Sequence, residues 1–405
     1  FVNRCTVNVS WTNTATKMTT SALKAFALGA SLLNVAVAAA HGDALFSPDS
    51  QHRRLKKIDY SGLSESEQLD LFESYQQDFG KVYADEAESS KRFEAFKQSL
   101  ERISLQNKQD TAIYGLTKFS DMTQEEFQHS YLLAHHRGKP VVHDKAAMQA
   151  KYASKLGITA AGTFHTSFTD DCDWREPQTC NSSIADVLAP VANQNQCGGC
   201  YAYSAVGTLE SRFALSGYNL TQLSVSEVLD CDTSEFGCGG GDAMYALNYL
   251  RHNGAWSAAD YPDTAGPSGT SSPCPAPANQ PEATVLFNET WIAVPWASGA
   301  AYSQGKYVDV VAKAVREFGP VAACMNSDWG WSDYVGGVIS DSTLCTPYWD
   351  EVDHCVVIAG YRASEESVQE MGMPYWVVRN SWGSDWGHGG YLYISMDSNV
   401  CGVLN

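Results

Sequence analysis

Cys197 and Cys200 stand three residues apart in Gln194-Asn195-Gln196-Cys197-Gly198-Gly199-Cys200-Tyr201-Ala202-Tyr203-Ser204. Ala205, Val206, Leu209, Phe213 and Ala214 follow at helix-compatible spacing, with Gly217 as a stop. The pattern predicts a helix that opens at Cys200. A thiol there lies in the positive end of the helix dipole, which favours the thiolate, and the thiolate is the nucleophile. The two glycines let another backbone approach closely. A bare Cys-x-x-Cys has two other readings, half of a zinc site or a redox pair. Zinc wants a second ligand pair at finger-like spacing, and no further Cys-x-x-Cys or His-x-x-x-His occurs.

Asp353-His354 opens a β-rich run, Cys355-Val356-Val357-Ile358, that ends at Gly360. Tyr375-Trp376-Val377-Val378-Arg379 reads as another strand and leads into Asn380-Ser381-Trp382-Gly383 and Trp386-Gly387. With these residues the chain resembles the papain family of cysteine peptidases. The resemblance implies Cys200 as nucleophile, His354 as general base and acid, and Asn380 as the group that orients His354. Gln194 and the Cys200 N–H become oxyanion-hole donors, and Trp382 shields the His354–Asn380 contact. Gly240 and Gly241 would hold an extended substrate like an added strand. Asp242 and Ala243 would line a side-chain pocket, and Asp353 and Trp382 would flank the substrate path. The resemblance also pairs Cys197 with Cys238, Cys231 with Cys274 and Cys345 with Cys401. Gly199 stands where the family has Ser or Ala, and Tyr201 where Trp is commoner. No metal or other cofactor is implied.

These groups need two walls and a cleft. Short strands at Val285–Phe287, Val321–Cys324, Val338–Ile339, Cys355–Ala359, Tyr375–Val378 and Gly390–Ile394 follow the helical first half, with a helix over Tyr307–Phe318 between them. The expected fold is α+β and two-lobed. A helical lobe carries Cys200, a barrel-like β lobe carries His354, and a mostly helical segment precedes both. Before the nucleophile, Asp173-Trp174-Arg175 is followed by an insertion, Glu176 to Leu188, where Cys172 just ahead of it and Cys180 inside it could staple a small loop. Cys324 and Cys355 read as buried thiols or an extra bridge, with thiols slightly favoured.

The preceding segment is amphipathic. Glu88, Arg92, Phe96, Ser99, Ile103 and Asn107 share one helix face, and Gly115-x-Thr117-x-Phe119-x-Asp121 follows. Both stretches resemble the two motifs of papain-family inhibitor propeptides, with Ser99 and Thr117 in place of Asn. The resemblance implies an inhibitor domain over about 65–127, whose C-terminal continuation over about 130–160 runs through the cleft backwards. The peptidase domain would then span 164–405, with its mature start between Ala160 and Ser167. Protonation of carboxylates such as Glu88 and Asp121 would loosen the propeptide in acid.

The 405 residues carry a net charge of −19, distributed unevenly. Residues 164–405 hold 8 Lys and Arg against 28 Asp and Glu, and residues 1–163 hold 19 against 18. So acidic a C-terminal part repels phosphates and argues against nucleic acid as a partner. Protein substrates and the chain's own propeptide are the expected partners of a monomer. Twelve cysteines suggest an oxidising compartment. Residues 25–38 form an apolar run after Lys24 and before Ala38-Ala39-Ala40, the layout of a secretory signal peptide. Translation is expected to begin at Met18, with residues 1–17 outside the product, a signal over 18–40 and a propeptide over 41–163. No run is long and apolar enough for a membrane span. Asn181, Asn219 and Asn288 head glycosylation sequons, which fits a lysosomal, vacuolar or extracellular product.

Overall fold

The computed structural model describes residues 55–133, 169–276, 280, 308–347, 351–396 and 399–403. The signal peptide, the mature start, the cleft segment beyond Leu133, the strand at Val285–Phe287 and Asn288 lie outside the described residues.

Two helices begin the described chain. Helix α1, Glu65–Asp78, starts at a reciprocal cap in which Ser64 and Glu67 satisfy each other's backbone N–H. Helix α2, Glu86–Gln109, is capped by Asp85 accepting from the Glu88 N–H. Phe72, Tyr75, Phe96 and Leu100 are buried between them as one aromatic-rich cluster. Asn107 ends the α2 stripe and bridges outward, donating to the carbonyls of Ile58 and Tyr114 and accepting from the Tyr114 N–H. Strand β1, Ile113–Tyr114, follows, and helix α3, Gln124–Tyr131, starts at a second reciprocal cap, Thr123 with Glu126.

A short strand, β2 (Cys172–Asp173), precedes the long apolar helix α4, Cys200–Leu215. Helices α5 (Val225–Cys231), α6 (Ala243–Asn253) and the one-turn α7 (Ala265–Ser268) complete this lobe. Bridges Cys197–Cys238 and Cys231–Cys274 tie the start of α4 and the end of α5 to the loops beside them.

Helix α8, Val308–Phe318, leads into the strands β3 (Val321–Met325), β4 (Tyr334–Gly336), β5 (Val338–Ile339), β6 (His354–Arg362), β7 (Tyr375–Arg379) and β8 (Tyr391–Ser395), with α9 (Glu365–Met371) after β6. Six of the strands form one sheet in the order β2-β6-β7-β8-β5, with β3 also paired to β6. This path does not return to its start, so the described sheet is open rather than barrel-like. Strand β6 is buried over eight of its nine residues, as expected for a central strand with helices against it. Bridges Cys172–Cys180 and Cys345–Cys401 lie at the edges of this lobe.

One expectation is overturned here. Cys324 and Cys355 are joined by a disulfide and are not free thiols. The β3–β6 register sets Cys324 directly opposite Cys355, and sequence spacing could not reveal that register.

Candidate active site

Cys200 is the first residue of α4, with Gly199 as its cap, and its side chain is fully buried. Among the described residues it is the one free cysteine. Cys197, held by Cys238, cannot act with it as a zinc or redox pair. The Cys200 sulfur accepts the Cys355 N–H at 3.3 Å, which sets it against the backbone of the residue next to His354.

His354 opens β6, and Asn380 follows directly after β7. His354 Nε2 lies 2.8 Å from Asn380 Oδ1, which also accepts the Ser381 N–H. With that oxygen as acceptor the imidazole carries its proton on Nε2. Nδ1 is left buried and without a partner. The Trp382 indole, fully buried, lies 4.8 Å from the imidazole, centroid to centroid. Burial pushes the Cys200 thiol up to about 12, against the Cys355 N–H, and pushes His354 down to about 4, against its Asn380 hydrogen bond. In the closed chain both groups are therefore neutral.

Gln194 is clamped between strands and loop. Its backbone N–H donates to the Ser381 carbonyl, and its Oε1 accepts from the Ser381 hydroxyl at 2.6 Å. That fixes the amide with Nε2 outward, where it donates to the carbonyls of Cys197 (2.9 Å) and Tyr131 (3.0 Å). Tyr131 belongs to α3. The N-terminal segment thus places a backbone carbonyl on the amide that the sequence assigned to an oxyanion. Leu133 continues along the same groove, its N–H donating to the Asp353 carbonyl at 2.7 Å. Any side chain at Gly198 would meet the carbonyls of Leu132 and Cys238, so this glycine is what lets the segment lie so close.

The remaining sequence-assigned residues serve the site unequally. Asp353 meets the segment through its carbonyl; its carboxylate accepts from Ser327 and Asp328 and is pushed up to about 7 by burial. Gly240 has φ +119, a conformation open to glycine, and precedes Gly241, which packs on Tyr201. Asp242 caps α6 by accepting from the Met244 N–H, and Ala243 is buried at that helix start. Glu235, which the sequence reading missed, lies against Gly241; burial and then Asp242 push its carboxyl up to about 8. Asn181 and Asn219 are exposed. No cluster of three or more metal-ligating side chains occurs among the described residues.

The N-terminal segment docks on this site through its motif residues. Phe119, Phe127 and Tyr131 all make edge contacts with Trp382. Lys118 donates to the Trp382 carbonyl and pairs with Asp385 at 2.8 Å. Thr117 donates to the Ser332 carbonyl, and the Gly115 N–H donates to that of Asp333. Arg102 grips the fully buried Asp333 carboxylate with two hydrogen bonds of 2.5 and 2.9 Å. Within the segment, Asp121 accepts from Tyr75, Lys81 and Tyr83, and Arg92 joins Glu88 and Glu126. Phe96 and Ile103 are fully buried.

Fold and site together define a cysteine peptidase closed by its own propeptide, and the chain belongs to the papain family. The model of the papain family cysteine protease matches residues 168–405, and that of the cathepsin propeptide inhibitor domain matches residues 72–127. Human cathepsin O is 33% identical over 318 residues, covering 77% of this chain and 85% of that protein. Cysteine proteinase A of Leishmania mexicana is 31% identical over 338 residues, covering 82% of each. Among solved structures, recombinant stem bromelain precursor superposes with a TM-score of 0.62 at 25% identity, over 83% of this chain and 96% of that one. The proform of a ragweed pollen cysteine protease superposes with a TM-score of 0.60 at 27% identity, over 84% and 93%. The protein is therefore a zymogen of a cysteine peptidase, with protein substrates and its own propeptide as inhibitor.

Proposed function

We propose that Cys200, His354, Asn380 and Gln194 carry the hydrolysis, and that the enzyme is an endopeptidase activated by acid. The observation that carries this reading is the junction at Gln194: the amide poised for a substrate oxyanion holds the Tyr131 carbonyl instead. When the propeptide leaves, water reaches Cys200 and His354, and the burial that keeps both neutral is relieved. The Cys200 proton then passes to His354 Nδ1, the ring nitrogen that Asn380 leaves free. The thiolate adds to the substrate carbonyl carbon, and the oxyanion is received by Gln194 Nε2 and the Cys200 N–H. His354 returns the proton to the leaving amine as the C–N bond breaks, and water, deprotonated by His354, then hydrolyses the thioester. Gly240 and Gly241 pair with the substrate backbone, with Asp242 and Ala243 beside them. The groove carries the backbone of Tyr131–Leu133 continuously past Gln194 and Asp353, which favours cleavage within a chain over trimming at its end. The remaining assignments are a monomer of the secretory pathway, in lysosome, vacuole or outside the cell, glycosylated at the three sequons and with no nucleic-acid or membrane partner.

The test is to express the chain from Met18, bring it to about pH 4.5 with a thiol reductant, and add an epoxysuccinyl thiol-trapping inhibitor. One adduct on Cys200, a new N-terminus between Ala160 and Ser167, and peptidase activity absent from Cys200→Ala are expected. Full activity in Cys200→Ala would overturn the assignment of the nucleophile. Equal processing rates at neutral and acid pH would overturn acid activation.

A further inference from the structure

The Cys324–Cys355 bridge has no part in the chemistry above, yet it sits at the centre of it. Three observations converge on it. The bridge joins residues directly opposite one another in the β3–β6 pair, one residue after His354. Among the described residues, His354, Cys355 and Val356 at this end of β6 pair with β3 alone, because pairing with β7 begins at Val357. The Cys355 N–H is also the donor on the Cys200 sulfur, and Cys200, Cys324 and Cys355 lie in one buried apolar cluster.

A strand end held by a single ladder has fewer backbone hydrogen bonds fixing its position than the doubly paired residues after it. Here such an end carries two groups at once, the imidazole and the N–H on the nucleophile. We propose that the Cys324–Cys355 disulfide positions the catalytic centre, fixing the first residues of β6 so that the Cys355 N–H stays on Cys200 while His354 stays on Asn380. This rests on the reading of Cys200 as the nucleophile. A hydrogen bond donated to sulfur favours the thiolate, so a drifting strand end leaves less of it. Substrate backbone is held elsewhere, at Gly240 and Gly241, so the loss falls on kcat and not on KM.

The experiment compares the full chain, matured in the usual way, with Cys324→Ser/Cys355→Ser. That variant keeps the Cys355 backbone N–H and removes only the tether. Cys172→Ser/Cys180→Ser, which opens the bridge on β2 at the other end of β6, is the control. The readouts are the rate of Cys200 alkylation by iodoacetamide at fixed pH, kcat and KM on a peptide amide, and thermal unfolding. Alkylation rate and kcat should each fall about tenfold in the first variant, as for a sub-ångström misplacement, with KM unchanged. The control should alkylate at the wild-type rate. Wild-type alkylation and kcat in the first variant would overturn the proposal, and so would a raised KM at unchanged kcat. If the serines prevent folding, Cys324→Val/Cys355→Ala keeps the wall apolar and is read the same way. Persistence of peptidase activity after wild-type Cys200 is fully alkylated would instead sink the nucleophile reading.

Discussion

Gln194 is held by Ser381 at both its backbone and its side-chain oxygen, so its amide nitrogen has one direction in which to point. Preorganisation of this kind makes an oxyanion donor effective, since nothing reorients as charge develops. Gln194→Ala should lower kcat by about 100-fold or more with little change in KM, measured on a peptide amide. Ser381→Ala leaves the amide free to turn and should cost about tenfold in kcat, a smaller loss because the donor remains. Cys200, His354 and Asn380 stand out in the sequence as candidates because few residue types can do such chemistry and because they occur in family order. Ser381 does not, although it lies inside the same motif: a hydroxyl has many possible partners, and only the fold brings Gln194 to it. At Asp353 the group that meets the propeptide is the carbonyl, which every residue type carries.

Helices α1 and α2 announce themselves by long amphipathic stripes, and α4 by an apolar run behind a thiol. Helix α3 passed unread because its eight residues give too few turns for a period, although Thr123-x-x-Glu126 is the sequence form of the cap it uses. The open sheet and the Cys324–Cys355 bridge were hidden for a different reason, that strand neighbours and register are fixed by long-range pairing. The same limit applies to Arg102 and Asp333, 231 residues apart in sequence. Arg102 is the anchor of α2 on the peptidase, and Asp333 is fully buried beneath it. Removing one partner of such a pair strands the other charge, a loss on the order of 3 kcal/mol. Arg102→Ala should therefore weaken inhibition of the mature enzyme by its propeptide about 100-fold, read as Ki. A Ki within threefold of wild type would show that the remaining contacts, at Trp382, Asp385 and Ser332, carry the docking without Arg102.

Two sets of acids shift in opposite directions, Glu210 and Glu227 of the peptidase against Glu126 of the propeptide. In the peptidase, burial pushes Glu210 and Glu227 up to about 7, while partners ease each only in part. In the propeptide, burial of Glu126 is outweighed by its hydrogen bonds from Lys91 and Thr123 and by Arg92, which bring it down to about 2. The signs are opposite. An acid held above its unfolded value of 4.5 binds its proton more tightly when folded, so its stability is complete below about pH 4.5 and is lost as pH rises towards 7. An acid held below that value contributes above about pH 4.5 and loses its contribution as pH falls towards 2. Acidification to about pH 4.5 therefore firms the peptidase, and only below that does it loosen the cap of α3, the helix that delivers Tyr131 to Gln194. Asp333 does not drive release, because burial holds its carboxyl above the usual range despite Arg102, and protons do not pull such a group out of the closed state. Two measurements follow. The melting temperature of the mature enzyme should rise between pH 7.5 and about pH 5, and a monotonic fall would refute the assignment to Glu210 and Glu227. Glu126→Gln, which removes the charge that Lys91 and Arg92 hold, should mature faster at neutral pH and show a flatter dependence of maturation on pH. An unchanged profile would move the acid trigger away from α3.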